Sequence, residues 1–132
     1  MVGVMTVIES GEPVKNEYRK FKIQDIDKAN DTGALKQVLT RRLAHPEWPY
    51  PQLIVVDGST AQKNAAELIL RQHAMLIPVV GVVKDERHKP IRIIGQKKLL
   101  DVHKHSILLA NAESHRFAIA YHRDKRSKKL RT

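Results

Sequence analysis

Two apolar periods alternate along this chain. The opening VGVMTVIE (residues 2–9) is rich in β-branched residues and stops at the turn signal SGEP. NEYRKFKI (16–23) then sets Tyr18, Lys20 and Lys22 against Arg19, Phe21 and Ile23, the two-residue period of a half-buried strand. The two segments predict an antiparallel hairpin over residues 2–23. From Asp31 the period becomes helical: Leu35, Val38, Leu39 and Leu43 recur along one face of DTGALKQVLTRRLA, with Asp31 placed to cap it. HPEWPYPQ (45–52) holds three prolines in eight residues and reads as a loop.

The next apolar runs are continuous rather than alternating. QLIVVDG (52–58) and IPVVGVVKD (77–85) predict strands buried on both faces, as in a parallel sheet. Between them STAQKNAAELILRQHA (59–74) predicts a helix capped by Ser59 or Thr60. PIRIIG (90–95) predicts a short strand. LLDVHKHSILLANAESHRFAIAYHR (99–123) predicts a long helix through Leu108, Ala112, Phe117, Ile119 and Tyr121, with Leu108, Phe117 and Ile119 expected on or near the buried side. Strand, helix, strand, helix in this order implies an α/β fold with a partly parallel sheet. At 132 residues the chain fits a single domain with one core and a basic tail over 122–132.

Charge narrows the partners. Lys and Arg number 24 against 14 Asp and Glu, a formal net charge of +10. Such an excess favours an anionic partner, nucleic acid first, then an anionic membrane or an acidic protein. With no cysteine, a disulfide framework, a zinc ribbon and a thiol nucleophile are excluded. No apolar run approaches the roughly 20 residues of a bilayer span, and the start lacks the basic region of a signal peptide, so a cytoplasmic chain is expected.

Four positions could carry chemistry. Asp57 follows LIVV directly and so ends a central strand, where open α/β sheets bind ligands; it could equally cap the next helix. His115 sits beside Arg116 on the long helix, either in a site or as an ordinary surface or core histidine. His122 lies two turns further on the same face, too far for both rings to reach one ion. Lys84, at the end of the second buried strand, could bind a phosphate as a point charge or belong to a solvated loop. No GxGxxG, Walker or HExxH pattern occurs, and no glycine flanks Ser114 as a nucleophile elbow requires.

In order and spacing NEYRKFKI, ALKQVLTRRL, PQLIVVDG, IPVVGVVKD and ESHRFAIAYHR followed by KRSKKL resemble the C-terminal endonuclease domain of the excinuclease UvrC over nearly the whole chain. The resemblance implies a ribonuclease H-like mixed sheet flanked by helices, and a nuclease making the 5′ incision beside damaged DNA with a divalent metal, Mg²⁺ or Mn²⁺. It implies Asp57 and His115 as catalytic residues and metal ligands, with Asp31 and Lys84 as possible supporting residues. Arg116, His122, Arg123, Lys125, Arg126, Lys128 and Lys129 would then grip DNA phosphates without reading sequence. The family's other catalytic aspartate lies on a first, central strand in a segment resembling FDISH, which is expected upstream of this chain. Its absence should leave the hairpin and the LIVV strand with unpaired edges, prone to self-association or to pairing directly with each other. The family's DGGKGQ reads DGSTAQ here, so Ser59 and Ala61 replace glycines after Asp57. A UvrB-like protein is the expected partner of the longer polypeptide, and a non-catalytic basic module that kept the fold is the alternative.

Overall fold

A computed structural model describes residues 2–24 and 31–131; the side chains of Val2, Asp31 and residues 122–131 lie outside that description. The N-terminal hairpin forms as its alternation predicts: β1 (Val2–Met5) pairs antiparallel with β4 (Arg19–Lys22), Gly3 opposite Phe21 and Met5 opposite Arg19. Between them a small hairpin, β2 (Ile8–Glu9) and β3 (Glu12–Pro13), turns on Ser10 and Gly11, both at positive φ, the backbone that tight two-residue hairpins need. Phe21 and Ile23 point inward and are buried.

The second sheet holds three strands in the order β5 (Ile54–Asp57), β6 (Val79–Lys84), β7 (Pro90–Ile94). β5 and β6 run parallel, Asp57 opposite Val82, and β7 returns antiparallel. The parallel pair needs a crossover, supplied by α2 (Thr60–Gln72). Ser59 caps α2: its backbone N–H donates to Gln62 Oε1 at 2.9 Å, so the serine that replaces a glycine serves as a capping-box residue.

Both faces of this sheet are covered, which explains the continuous apolar runs. On one face α1 (Asp31–Leu43) and α2 bring Leu39, Leu43, Ala66, Ile69 and Leu70 against Val56 and Val79. On the other, α3 (Lys97–Arg131) lays Ile107 and Leu100 on Val80, Val82 and Val55. Leu70, Ile107, Val80 and Val82 are fully buried, each contributing on the order of 1.5–3 kcal/mol through removal from water. The buried stripe of α3 corrects the expected one. It runs through Ile107 and Asn111, four residues apart, whereas Ala112 and Ile119 are exposed. The sheet chooses which side of the helix it covers, and apolar residues occur on more than one side of this helix.

Among the described residues the β1–β4 pair and the three-stranded sheet share no hydrogen-bonded strand pair: β1 pairs with β4 and β5 with β6. The hairpin does not pair directly with the LIVV strand. Helices join them instead, with α1 and α3 both packed on β1 and α3 also on β5. Thr6 Oγ1 lies 2.7 Å from Ser114 Oγ, and Tyr18 Oη donates to Glu113 Oε1 at 2.8 Å.

Candidate active site

Side-chain alternation along a strand decides where the site forms. Ile54 and Val56 face α1 and α2, and Val55 faces α3, so Asp57 points to the α3 side. Val80 and Val82 face the same side on β6. Lys84 continues that row past an irregularity in the pairing with β7 between Val83 and Lys84. The two side chains meet at the end of the parallel pair: Lys84 Nζ lies 2.9 Å from Asp57 Oδ2. Lys84 is 12% exposed and Asp57 58% exposed. The ammonium is thus held in place while the carboxylate stays open to solvent.

Two alternatives left open by the sequence are resolved here. Asp57 does not cap α2, since Ser59 does, and Lys84 is not a solvated loop residue. Glycines make the turn after Asp57 possible. Gly58 sits at φ 150, a conformation that disfavours a side chain. Gly81 on β6 faces the same turn, and a Cβ there would lie 2.7 Å from the Gly58 carbonyl oxygen. A glycine inside an apolar strand is a sign of such close backbone approach, and VVGVV carries that sign.

His115 continues the Ile107–Asn111 stripe by another four residues, toward the same end of the sheet. It is half-buried, and its ring stacks on His88 with centroids 5.0 Å apart and planes 27° apart. His88 belongs to the β6–β7 turn, four residues beyond Lys84. One hairpin therefore contacts both Asp57, through Lys84, and His115, through His88. His88 falls within VVKDERHKP, the stretch that the sequence places near the sheet edge of Asp57, but the pattern gives it no role of its own.

Arg116 points elsewhere. Its Nε and Nη2 fork onto Glu113 at 2.7 and 2.9 Å. With the Tyr18 hydroxyl, this guanidinium holds the Glu113 carboxyl well below the usual range, down to about 2. Burial, then the bond to Glu113, pushes the Tyr18 phenol up to about 12. Arg116 nevertheless remains 51% exposed. The other expected site residues, Asp31, His122, Arg123, Lys125, Arg126, Lys128 and Lys129, have side chains outside the described residues; their backbones belong to α1 and α3.

Sequence comparison decides the family. The family model of the UvrC RNase H endonuclease domain matches residues 1–125. The chain belongs to this family. Among its relatives is a UvrABC system protein C from Caldicellulosiruptor saccharolyticus, 40% identical over 136 residues, covering 98% of this chain and 23% of the relative. Another from Lachnospira eligens is 38% identical over 144 residues, covering 96% and 24%. A third, from Malacoplasma penetrans, is 40% identical over 140 residues, covering 98% and 24%. The UvrC-type domain thus spans about a quarter of the length of the curated relatives it matches. Its mixed α/β architecture agrees with the ribonuclease H-like fold expected from the sequence.

The metal implied by the family can be tested against these side chains. Mg²⁺ and Mn²⁺ prefer near-octahedral sites rich in oxygen. Among the described residues no three His, Asp or Glu side chains converge into a ligand set, and one oxygen of Asp57 is already paired with Lys84. The described donors of this UvrC-type domain do not fit a divalent ion by themselves.

Proposed function

We propose that this domain is the phosphodiester-cutting part of a nucleotide excision repair protein, acting on damaged duplex DNA and making the incision on the 5′ side of the lesion. The observation that carries the reading is the Asp57–Lys84 pair at the open end of β5 and β6, with His115 directed toward the same end by α3 and seated on His88 of the β6–β7 turn. A carboxylate, a held ammonium and an imidazole are the groups that orient a phosphodiester, balance its charge and move a proton. Asp57 and His115 are the proposed catalytic residues. Lys84 supplies a fixed point charge suited to phosphate, and Asp31 is a further acidic candidate.

Mg²⁺ or Mn²⁺ is the proposed cofactor of the assembled domain, with a further carboxylate from beyond the described residues completing the ligand set. DNA is held by Arg116, His122, Arg123, Lys125, Arg126, Lys128 and Lys129, and the charge of +10 supports a polyanionic partner. A UvrB-like protein is the proposed partner of the longer polypeptide, and the setting is cytoplasmic. Among the described residues, no helix is long and apolar enough to cross a membrane. The second reading is a non-catalytic basic nucleic-acid-binding module, favoured by the lack of a three-donor set among the described residues.

A nicking assay on a duplex carrying one bulky lesion, with Mn²⁺, separates the two. The chain alone should nick weakly. A version extended upstream through a strand carrying an aspartate should nick strongly, and Asp57→Ala or His115→Ala should abolish that activity. An extended chain that binds the duplex and never cuts it would establish the binding module instead.

A further inference from the structure

The β6–β7 turn holds one residue in a costly conformation. Asp85 closes the turn: its Oδ1 accepts the backbone N–H groups of Arg87 at 2.8 Å and Lys89 at 2.9 Å. Its own N–H donates to the Lys89 carbonyl at 2.9 Å, and the His88 N–H donates to the Asp85 carbonyl at 3.0 Å. This closure leaves His88 at φ 64, the left-handed region where a Cβ crowds the backbone and, after glycine, asparagine, aspartate and histidine are the residues most enriched. The strain is not offset by burial, because every residue from Asp85 to Pro90 is exposed. It does put the His88 imidazole against the ring of His115. The turn needs a left-handed residue, as the β2–β3 hairpin does at Ser10, and having histidine there is what sets an imidazole on His115.

We propose that His88 is a positioning residue: the Asp85-closed turn presents its imidazole as a platform that fixes the plane and direction of the His115 ring. The inference rests on the reading of His115 as a site residue. The same hairpin fixes Asp57 through Lys84, so one turn would set the relative placement of both proposed catalytic groups. A half-buried imidazole without a ring fixed against it can still turn about its side-chain bonds, and misplacement by about 1 Å can cost on the order of 100-fold in rate.

The test uses the 132-residue chain without DNA or metal, so its outcome is independent of whether the domain cuts. The His115 ring carbon–proton signals, assigned by loss in His115→Gln, are recorded at one fixed pH for every variant. His88→Gly should move these signals toward those of an unstacked imidazole while leaving the melting temperature unchanged or higher. His88→Phe, which keeps a ring on the platform, should retain the ring-current displacement. Unmoved His115 signals in His88→Gly would overturn the proposal. So would a lowered melting temperature in that variant, which would make the ring an ordinary packing residue, or loss of the displacement in His88→Phe.

Discussion

Tyr18→Phe should loosen the N-terminal hairpin from α3 while sparing the three-stranded sheet. The hairpin has no strand partner in that sheet, so its attachment falls to helix contacts and the bond from Tyr18 Oη to Glu113 Oε1 at 2.8 Å. The Tyr18 ring also lies 5.3 Å from Phe117, and phenylalanine keeps that contact. A hydrogen bond to a charged acceptor contributes roughly 1.5–3 kcal/mol. Arg116 stays on Glu113 in the variant and leaves its carboxylate satisfied, so the loss belongs at the low end, about 1–2 kcal/mol. For a domain of this size that lowers the melting temperature by roughly 3–8 °C. The pH dependence follows from the two shifts. Glu113 is depressed from 4.5 to about 2, so its contribution is full above 4.5 and lost as pH falls toward 2. Tyr18 is raised from 10.0 to about 12, so its contribution is full below 10 and lost as pH rises toward 12. Thermal unfolding followed by circular dichroism across this range should show Glu113→Gln flattening the acid limb and Tyr18→Phe the alkaline limb. The two substitutions should be non-additive at a pH of about 7. A Tyr18→Phe variant that melts with the parent at every pH, or strict additivity, would refute the reasoning.

Gly81→Ala should cost about 1–3 kcal/mol in urea unfolding by driving a methyl group into the Gly58 carbonyl, and should displace the Asp57 carboxyl signal in NMR spectra even where the variant stays folded. Replacing Lys125, Arg126, Lys128 and Lys129 with alanine should weaken binding to all duplexes alike; removing each phosphate-binding cation should reduce the log–log salt slope by roughly 0.9, measured by fluorescence anisotropy. Among the described residues one edge of β1 and one of β5 carry no strand partner; recruitment of a second copy there should make the melting temperature rise with protein concentration, and sedimentation should show the dimer.

The elements are legible where pattern and backbone requirement coincide. Alternation through Phe21 and Ile23 gives the hairpin, helical spacing through Leu35, Leu39 and Leu43 gives α1, and the unbroken runs around Val56 and Val80 give two strands covered on both faces. Asp57 is legible as a strand-end carboxylate before any resemblance is considered. Its partner stays open in the sequence, because Lys84 in a turn and Lys84 against a carboxylate are spelled alike. The row of side chains along β6 settles it, by bringing Val82 level with Asp57 and Lys84 just beyond. The stripe of α3 that meets the sheet cannot be read either. Leu108 and Ile119 offer one apolar side, Leu100 and Ile107 another, and docking on Val80 and Val82 selects the second. That rotation puts His115 rather than Phe117 on the stripe continuing from Ile107. By itself, then, the sequence determined the order of elements and the covered sheet, since these follow from local period, and it carried the family through the resemblance of its motifs. Only the tertiary structure decided that Lys84 and His88, on one hairpin, meet Asp57 and His115, because contacts between residues far apart in the chain depend on the register of strands and the rotation of a helix.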